Sequence, residues 1–148
     1  MKKILIIALL LIALVGCKDK EKITVCTTNY DGIEIENVIQ SKGEQVTTVI
    51  YQTTITVEDT LAPYLTATAE EYAKNFVGVG GITYEYDVNK NTLKEVTTVE
   101  YLKVNYEDLV KLGLLELEDG VIPTPLYIEY DDILDNMKSL GCECKVKR

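Results

Sequence analysis

Histidine and tryptophan are absent from the 148 residues, phenylalanine occurs once, and the only arginine is Arg148. Serine occurs twice, as Ser41 and Ser139. Without histidine, no Ser-His-Asp or Cys-His nucleophile can be assembled, and no imidazole can hold a metal. Positive charge is scarce too: 15 basic residues stand against 24 acidic ones, a formal −9. That balance argues against nucleic acid, because phosphate binding needs clustered positive charge. What is present is ten tyrosines, four cysteines and 47% hydrophobic residues, an ordinary globular composition.

Met1-Lys2-Lys3 is a short basic start, followed by an unbroken apolar run from Ile4 to Val15. At about 1.5 Å per residue the run is too short to cross about 30 Å of hydrocarbon. Its length and flanks are those of a signal-peptide h-region. The run ends in Leu14-Val15-Gly16-Cys17, which resembles the bacterial lipobox. In that motif a small residue precedes a cysteine whose thiol takes a diacylglyceryl group before the leader is cut. The expectation is a signal peptide over residues 1–16, a lipidated tether over 17–22 and one domain over 23–148. Cys17 is then the lipidation site, and the domain sits on the extracytoplasmic side of a cell membrane.

Loss of residues 1–16 takes Lys2 and Lys3 away and leaves 13 basic against 24 acidic residues, a formal −11. A surface that negative is repelled by anionic headgroups. Acyl chains are therefore expected to hold the protein, at roughly 0.8 kcal/mol per buried CH₂. The charged tether Lys18-Asp19-Lys20-Glu21 reaches under roughly 20 Å, which keeps the domain close to the bilayer.

The pattern of the mature chain predicts strands at Ile23–Thr28, Ile33–Gln40 and Gln45–Val57, with turns at Asp31-Gly32 and Ser41–Glu44. Asp59-Thr60 is expected to cap a helix with Pro63 in its first turn and an apolar stripe of Leu61, Leu65, Ala69, Tyr72, Ala73 and Phe76. Strands Ile82–Val88 and Leu93–Val104 follow, then a helix Tyr106–Leu112 capped by Asn105 and stopped by Gly113. A loop holding Pro123 and Pro125 leads to a last helix with Ile133, Leu134, Met137 and Leu140 inward, and Cys142–Val146 closes as a strand. Val46-Thr47-Thr48-Val49-Ile50-Tyr51 recurs fifty residues later as Val96-Thr97-Thr98-Val99-Glu100-Tyr101. The expected fold class is α+β, an antiparallel β-sheet with helices packed on one face, built from two hairpin-plus-helix repeats.

Three cysteines remain once Cys17 is acylated, and an oxidising compartment makes one disulfide the natural arithmetic. Cys26 lies in the first strand and is expected to pair with Cys142 or Cys144, which share one face of the last strand. The bridge is read as a structural staple rather than a redox or metal-binding pair. Asp87-Val88-Asn89-Lys90-Asn91 opens like a calcium loop, but Thr92 stands where glycine is needed and Thr98 where a bidentate glutamate belongs. It is read as a polar hairpin turn. Glu116, Glu118 and Asp119 form an acidic loop, and Glu129, Asp131, Asp132 and Asp135 crowd a helix start that the helix dipole favours. No metal site, catalytic residue or cofactor is expected from them. Tyr84, Tyr86 and Tyr101 fall at strand period with Tyr51 as the repeat partner of Tyr101, and these four are the candidate ligand-binding residues.

The lipobox, the early strand cysteine, Gly81-Ile82-Thr83-Tyr84 after the first helix and the Gly141-x-x-Cys144-Lys145 ending resemble the YehR-like small bacterial lipoproteins, a family of unknown function. The resemblance covers roughly Lys22 to Val146 and implies an α+β domain outside a membrane. It also implies Cys144 as the partner of Cys26, with Cys142 an extra cysteine. The expected role is a membrane-anchored, non-enzymatic domain that binds a ligand or an envelope protein. An envelope scaffold and a carboxylate-based enzyme are the alternatives.

Overall fold

β-Branched residues recur at every second position through much of the first half of the chain, and strands form there. The computed structural model describes residues 20–115 and 127–147. Its strands are β1 (Glu21–Tyr30), β2 (Ile33–Lys42), β3 (Gln45–Thr56), β4 (Ile82–Asn89), β5 (Thr92–Glu100) and β6 (Glu143–Val146). They form one antiparallel sheet in the order β4-β5-β3-β2-β1-β6. Helices α1 (Ala62–Ala73), α2 (Tyr106–Lys111) and α3 (Tyr130–Ser139) accompany it, with a 3₁₀ turn at Lys74–Phe76 after α1. The expected leader, Cys17, the Glu116–Asp119 cluster and the loop prolines lie outside the described residues. No helix among the described residues is long and apolar enough to cross a membrane.

The register fixes which side chains share a face. Cys26, Asn37, Tyr51, Thr97 and Tyr84 lie on one rung, and Thr24, Ile39, Val49, Val99 and Ile82 on the next but one. Because side chains alternate along strands, all of these point to the same side. Cys26, Ile39, Val49 and Val99 are fully buried there, in one cluster with Phe76, Leu109, Ile133 and Met137 from the helical layer. A smaller cluster joins Leu65 and Ala69 of α1 to Leu93. The α+β class with helices on one face is thus observed. The two Val-Thr-Thr-Val stretches meet at a single antiparallel pair, Val49 opposite Val99, while Thr97 faces Tyr51 and Val96 faces Gln52. The helices after them sit in different clusters, so the structure does not extend the repeat to the helices.

Some local expectations are corrected. The strand expected to reach Val104 ends at Glu100, because Lys103 and Val104 return their amides to the Glu100 carbonyl and turn the chain. Gly81 makes room for that turn: at φ 78, a Cβ here would lie 2.5 Å from the Val104 nitrogen. Asp59-Thr60 does not cap α1, whose N-cap position is Leu61 with no side-chain bond. Asp59 accepts from the Asn91 amide instead. Leu140 is 68% exposed rather than inward. Cys142 precedes β6 and belongs to the end of α3. Its N–H donates to the Met137 carbonyl, and the N–H of Gly141, at φ 83, donates to Lys138. This is a Schellman ending, in which an apolar residue after the glycine packs back on the helix. Cys142 fills that place.

Candidate functional site: a cleft between two helices

The helix-facing rungs of β2 and β3 carry Ile35, Asn37, Tyr51 and Thr53. Above them α2 closes with the same ending as α3: Gly113 donates to Val110 and Leu114 to Leu109. Gly113, Leu114 and Leu115 then make one wall, and Ile133, Asn136, Met137 and Leu140 of the α3 region make the other. Between these walls lies a cleft of ≈ 550 Å³, within the range of small-molecule sites. None of its lining side chains is charged.

Asn37 gives the floor its polarity. It is 5% exposed, and its Nδ2 donates to the Met137 sulfur at 3.0 Å. Its Oδ1 is buried and has no hydrogen-bond partner among the described residues. A buried carbonyl left unpaired costs about 1–3 kcal/mol, so a donor supplied by a ligand has an energetic place to go. Tyr51 stands beside it, its hydroxyl 3.4 Å from that of Tyr101. Burial raises the pKa of Tyr51 above the usual phenol value, and the Tyr101 bond lowers it in part. Tyr101 is raised as well, by burial first and by Tyr51 second. Both are therefore neutral hydrogen-bonding groups at any physiological pH.

The four predicted tyrosines fall into two places. Tyr51 lines the cleft and Tyr101 backs it. Tyr84 and Tyr86 lie at the β4 edge, where Tyr84 stacks on Phe76 at 5.1 Å and meets Tyr72 edge-on at 5.2 Å. The Tyr84 hydroxyl donates to the Glu95 carboxylate, and burial, followed by that bond, lifts its pKa well above the ordinary range. The structure does not join the pairs into one row. Asn37 and Asn136 carry no periodic signal in the sequence: the first is a single asparagine inside a β-branched strand, the second one polar residue among several on an amphipathic helix. The unmatched polarity of Asn37 at a core position was the clue available.

Cys26 and Cys144 face each other across β1 and β6 and form a disulfide. Cys142 keeps a buried thiol whose pKa burial pushes up, the opposite of a reactive thiolate. A second depression of ≈ 610 Å³ lies against β1–β3, lined by Glu34, Glu36 and Glu143 among threonines and amides. None of its side chains is buried and unpaired. Among the described residues no group of three or more acids and cysteines is placed to hold a metal.

This architecture defines a class of small α+β domain with a six-stranded antiparallel sheet. No family model matches the chain, and no curated protein matches it. Among solved structures it is similar to the NMR structure of the E. coli YehR protein, with a TM-score of 0.66 and 20% identity over 85% of this chain and 91% of that one. It is also similar to the NMR structure of a protein from Streptococcus pneumoniae TIGR4, with a TM-score of 0.59 and 15% identity, covering 88% of each chain. The YehR resemblance read from the sequence is borne out for the fold, and at these identities the fold is what is shared.

Proposed function

We propose that the protein is a lipid-anchored, extracytoplasmic binding protein without catalytic activity, and that its inter-helix cleft receives an uncharged, largely apolar ligand. The observation that carries the binding role is the unpaired Asn37 carbonyl at the floor of a cleft with no ionisable acid or base except tyrosine. An enzyme working through paired carboxylates needs acids enclosed in its pocket; this cleft has none, and Glu34, Glu36 and Glu143 of the other depression are exposed. The anchor has its support in the lipobox sequence at Cys17, and export is in keeping with the Cys26–Cys144 disulfide.

Thermal shift of the full chain in detergent, against matched neutral and charged amphiphiles, tests the binding role. Neutral compounds with a donor group should raise the melting temperature, and Leu114→Trp, which fills the cleft, should remove the shift. Equal shifts with charged compounds, or none removed by Leu114→Trp, would overturn it. The anchor is tested by metabolic palmitate labelling, which Cys17→Ala should abolish. The alternative role, an envelope scaffold, draws support from the helix-free sheet face, where Val25, Val38 and Ile50 form a half-buried apolar row.

A further inference from the structure

The two free edges of the sheet differ in what guards them. At the β4 edge the Glu100 N–H donates to the Gly81 carbonyl at 2.7 Å. Opposed residues of an antiparallel ladder alternate between bonded and unbonded pairs. Thr83, Glu85, Asp87 and Asn89 therefore turn their backbone groups toward β5, and Ile82, Tyr84, Tyr86 and Val88 turn theirs away from the sheet. Among the described residues β4 pairs only with β5, and no backbone bond from a loop reaches those four. At the opposite edge the Lys147 N–H donates to the Ile23 carbonyl at 2.7 Å, which leaves only Cys144 and Val146 of β6 facing outward.

Edges are blunted by short strands, lysine, proline or bulges. Strand β6 is four residues long and carries Lys145, with Lys147 just beyond it. Strand β4 has eight residues, no lysine, no proline and an unbroken register with β5. Its side chains sort by face. Thr83, Glu85 and Asp87 are exposed on the helix-free face, whereas Tyr84, Tyr86 and Val88 lie on the other, where Tyr86 is 37% exposed.

A strand added antiparallel to β4 would bond to Ile82, Tyr84, Tyr86 and Val88. Glu85 and Asp87 then fall at the unbonded positions, where opposed Cα atoms approach to about 4.5 Å and side chains are closest. Charges directly opposite one another decide such pairs. Lys94 faces Asp87 from β5, but an added strand lies two strand spacings from β5, roughly 10 Å, which is more than a Debye length at physiological salt. Glu95 is turned to the other face, where it accepts from Tyr84.

We propose that the β4 edge is a docking site for an extended peptide segment with lysine or arginine at alternate positions and apolar residues between them. The segment adds to the six-stranded sheet by main-chain bonds. Its basic side chains stand opposite Glu85 and Asp87, and its apolar ones lie beside Tyr84 and Tyr86. Residues 116–126 of this chain do not suit the edge, with three acids, no base and two prolines. Strand β6 has the alternation at Lys145 and Lys147, but it turns two residues outward where β4 offers four. The site uses neither the cleft nor the acyl anchor, so it stands or falls separately from both.

The test is amide hydrogen exchange by NMR on the full chain in detergent, with a short probe peptide of valines alternating with lysines. In the free chain Thr83, Glu85 and Asp87 should be protected, while Tyr84, Tyr86 and Val88 should exchange freely. The lysine probe should slow those last three severalfold, more at low salt than at high. A probe with glutamate in place of lysine should leave them fast. So should the lysine probe N-methylated at its valines, which has no donor for the edge. The Glu85→Lys/Asp87→Lys variant, altered only at exposed positions, should keep its melting temperature and reverse the preference between the two charged probes. Protection of Tyr84, Tyr86 and Val88 without any probe overturns the proposal. At every concentration it would mean that the chain covers its own edge, and protection growing with concentration would mean that a second copy does. Equal effects of the probes, or none, overturn it as well.

Discussion

At one edge of the sheet a four-residue strand, β6, is fastened to β1 by a covalent bond; at the other, the eight-residue β4 is held to the α1 region by stacked aromatic rings. The difference follows from chain length between the contacts. Phe76 and Tyr84 are eight residues apart, whereas Cys26 and Cys144 are separated by 118. Closing the longer loop costs about 2 kcal/mol more, and β6 has only four rungs with which to offset it. A disulfide removes much of that cost from the unfolded side. The β4 edge needs no such staple, because its contact is local and buries ring area in a T-shaped and stacked trio.

The largest effect should come from the stapled edge. Cys26→Ala/Cys144→Ala is expected to lose about 4 kcal/mol in urea denaturation, with β6 amides exchanging first. A loss under about 1 kcal/mol would mean that packing of Met137 and Cys142, not the bridge, holds the chain ends. Phe76→Ala comes next, at about 3 kcal/mol. Its hydrogen exchange should rise in β4 and leave β6 unchanged, and an equal rise at both edges would show that they melt as one unit.

Alkaline pH separates the edge from the centre. Tyr51, Tyr84 and Tyr101 all have folded pKa values above the phenol value of 10.0. A raised pKa means that the folded state holds its proton where the unfolded state releases it. The stability they contribute is complete below pH 10 and falls as pH rises beyond it. Tyrosinate absorbance should then show three of the ten tyrosines ionising only with unfolding. In Tyr84→Phe the alkaline loss should become smaller, and what remains should belong to the central Tyr51–Tyr101 pair. An unchanged pH profile in that variant would place no part of the alkaline loss at the β4 edge.

Strands were the legible part of this chain, because a half-buried sheet face writes itself as alternation: Val49, Tyr51 and Ile55 on β3 were readable at period two. The β1–β2 and β4–β5 turns were equally open to reading, since Asp31-Gly32 and Lys90-Asn91 announce themselves chemically. Pairing of distant strands was not written that way. Cys26 opposite Cys144 depends on β6 docking antiparallel on β1, and alternation alone left Cys142 as good a partner. Helix ends also escaped: Cys142 has strand-like neighbours, but the backbone bonds around Gly141 make it part of a helix ending. The cleft was the least legible feature. Its lining comes from two strands and two helix ends far apart in sequence, and among the four candidate ligand-binding tyrosines only Tyr51 touches it.

The smallest prediction compares how the helix at the aromatic edge starts with how α2 starts. Helix α2 opens on Asn105, whose side chain accepts the Glu107 N–H at 3.1 Å, while α1 opens on Leu61 with no side-chain bond. A cap of the first kind contributes about 1 kcal/mol. Asn105→Ala should therefore lower stability by about that amount. Thr60→Ala, at the position where the sequence pattern placed a cap, should change stability by only a few tenths of a kcal/mol, as for an exposed residue making no such bond. The two variants measured side by side in urea keep the comparison independent of the rest of the fold. Equal losses would mean that α1 has a capped start in solution after all, and that the aromatic edge is not held by its rings alone.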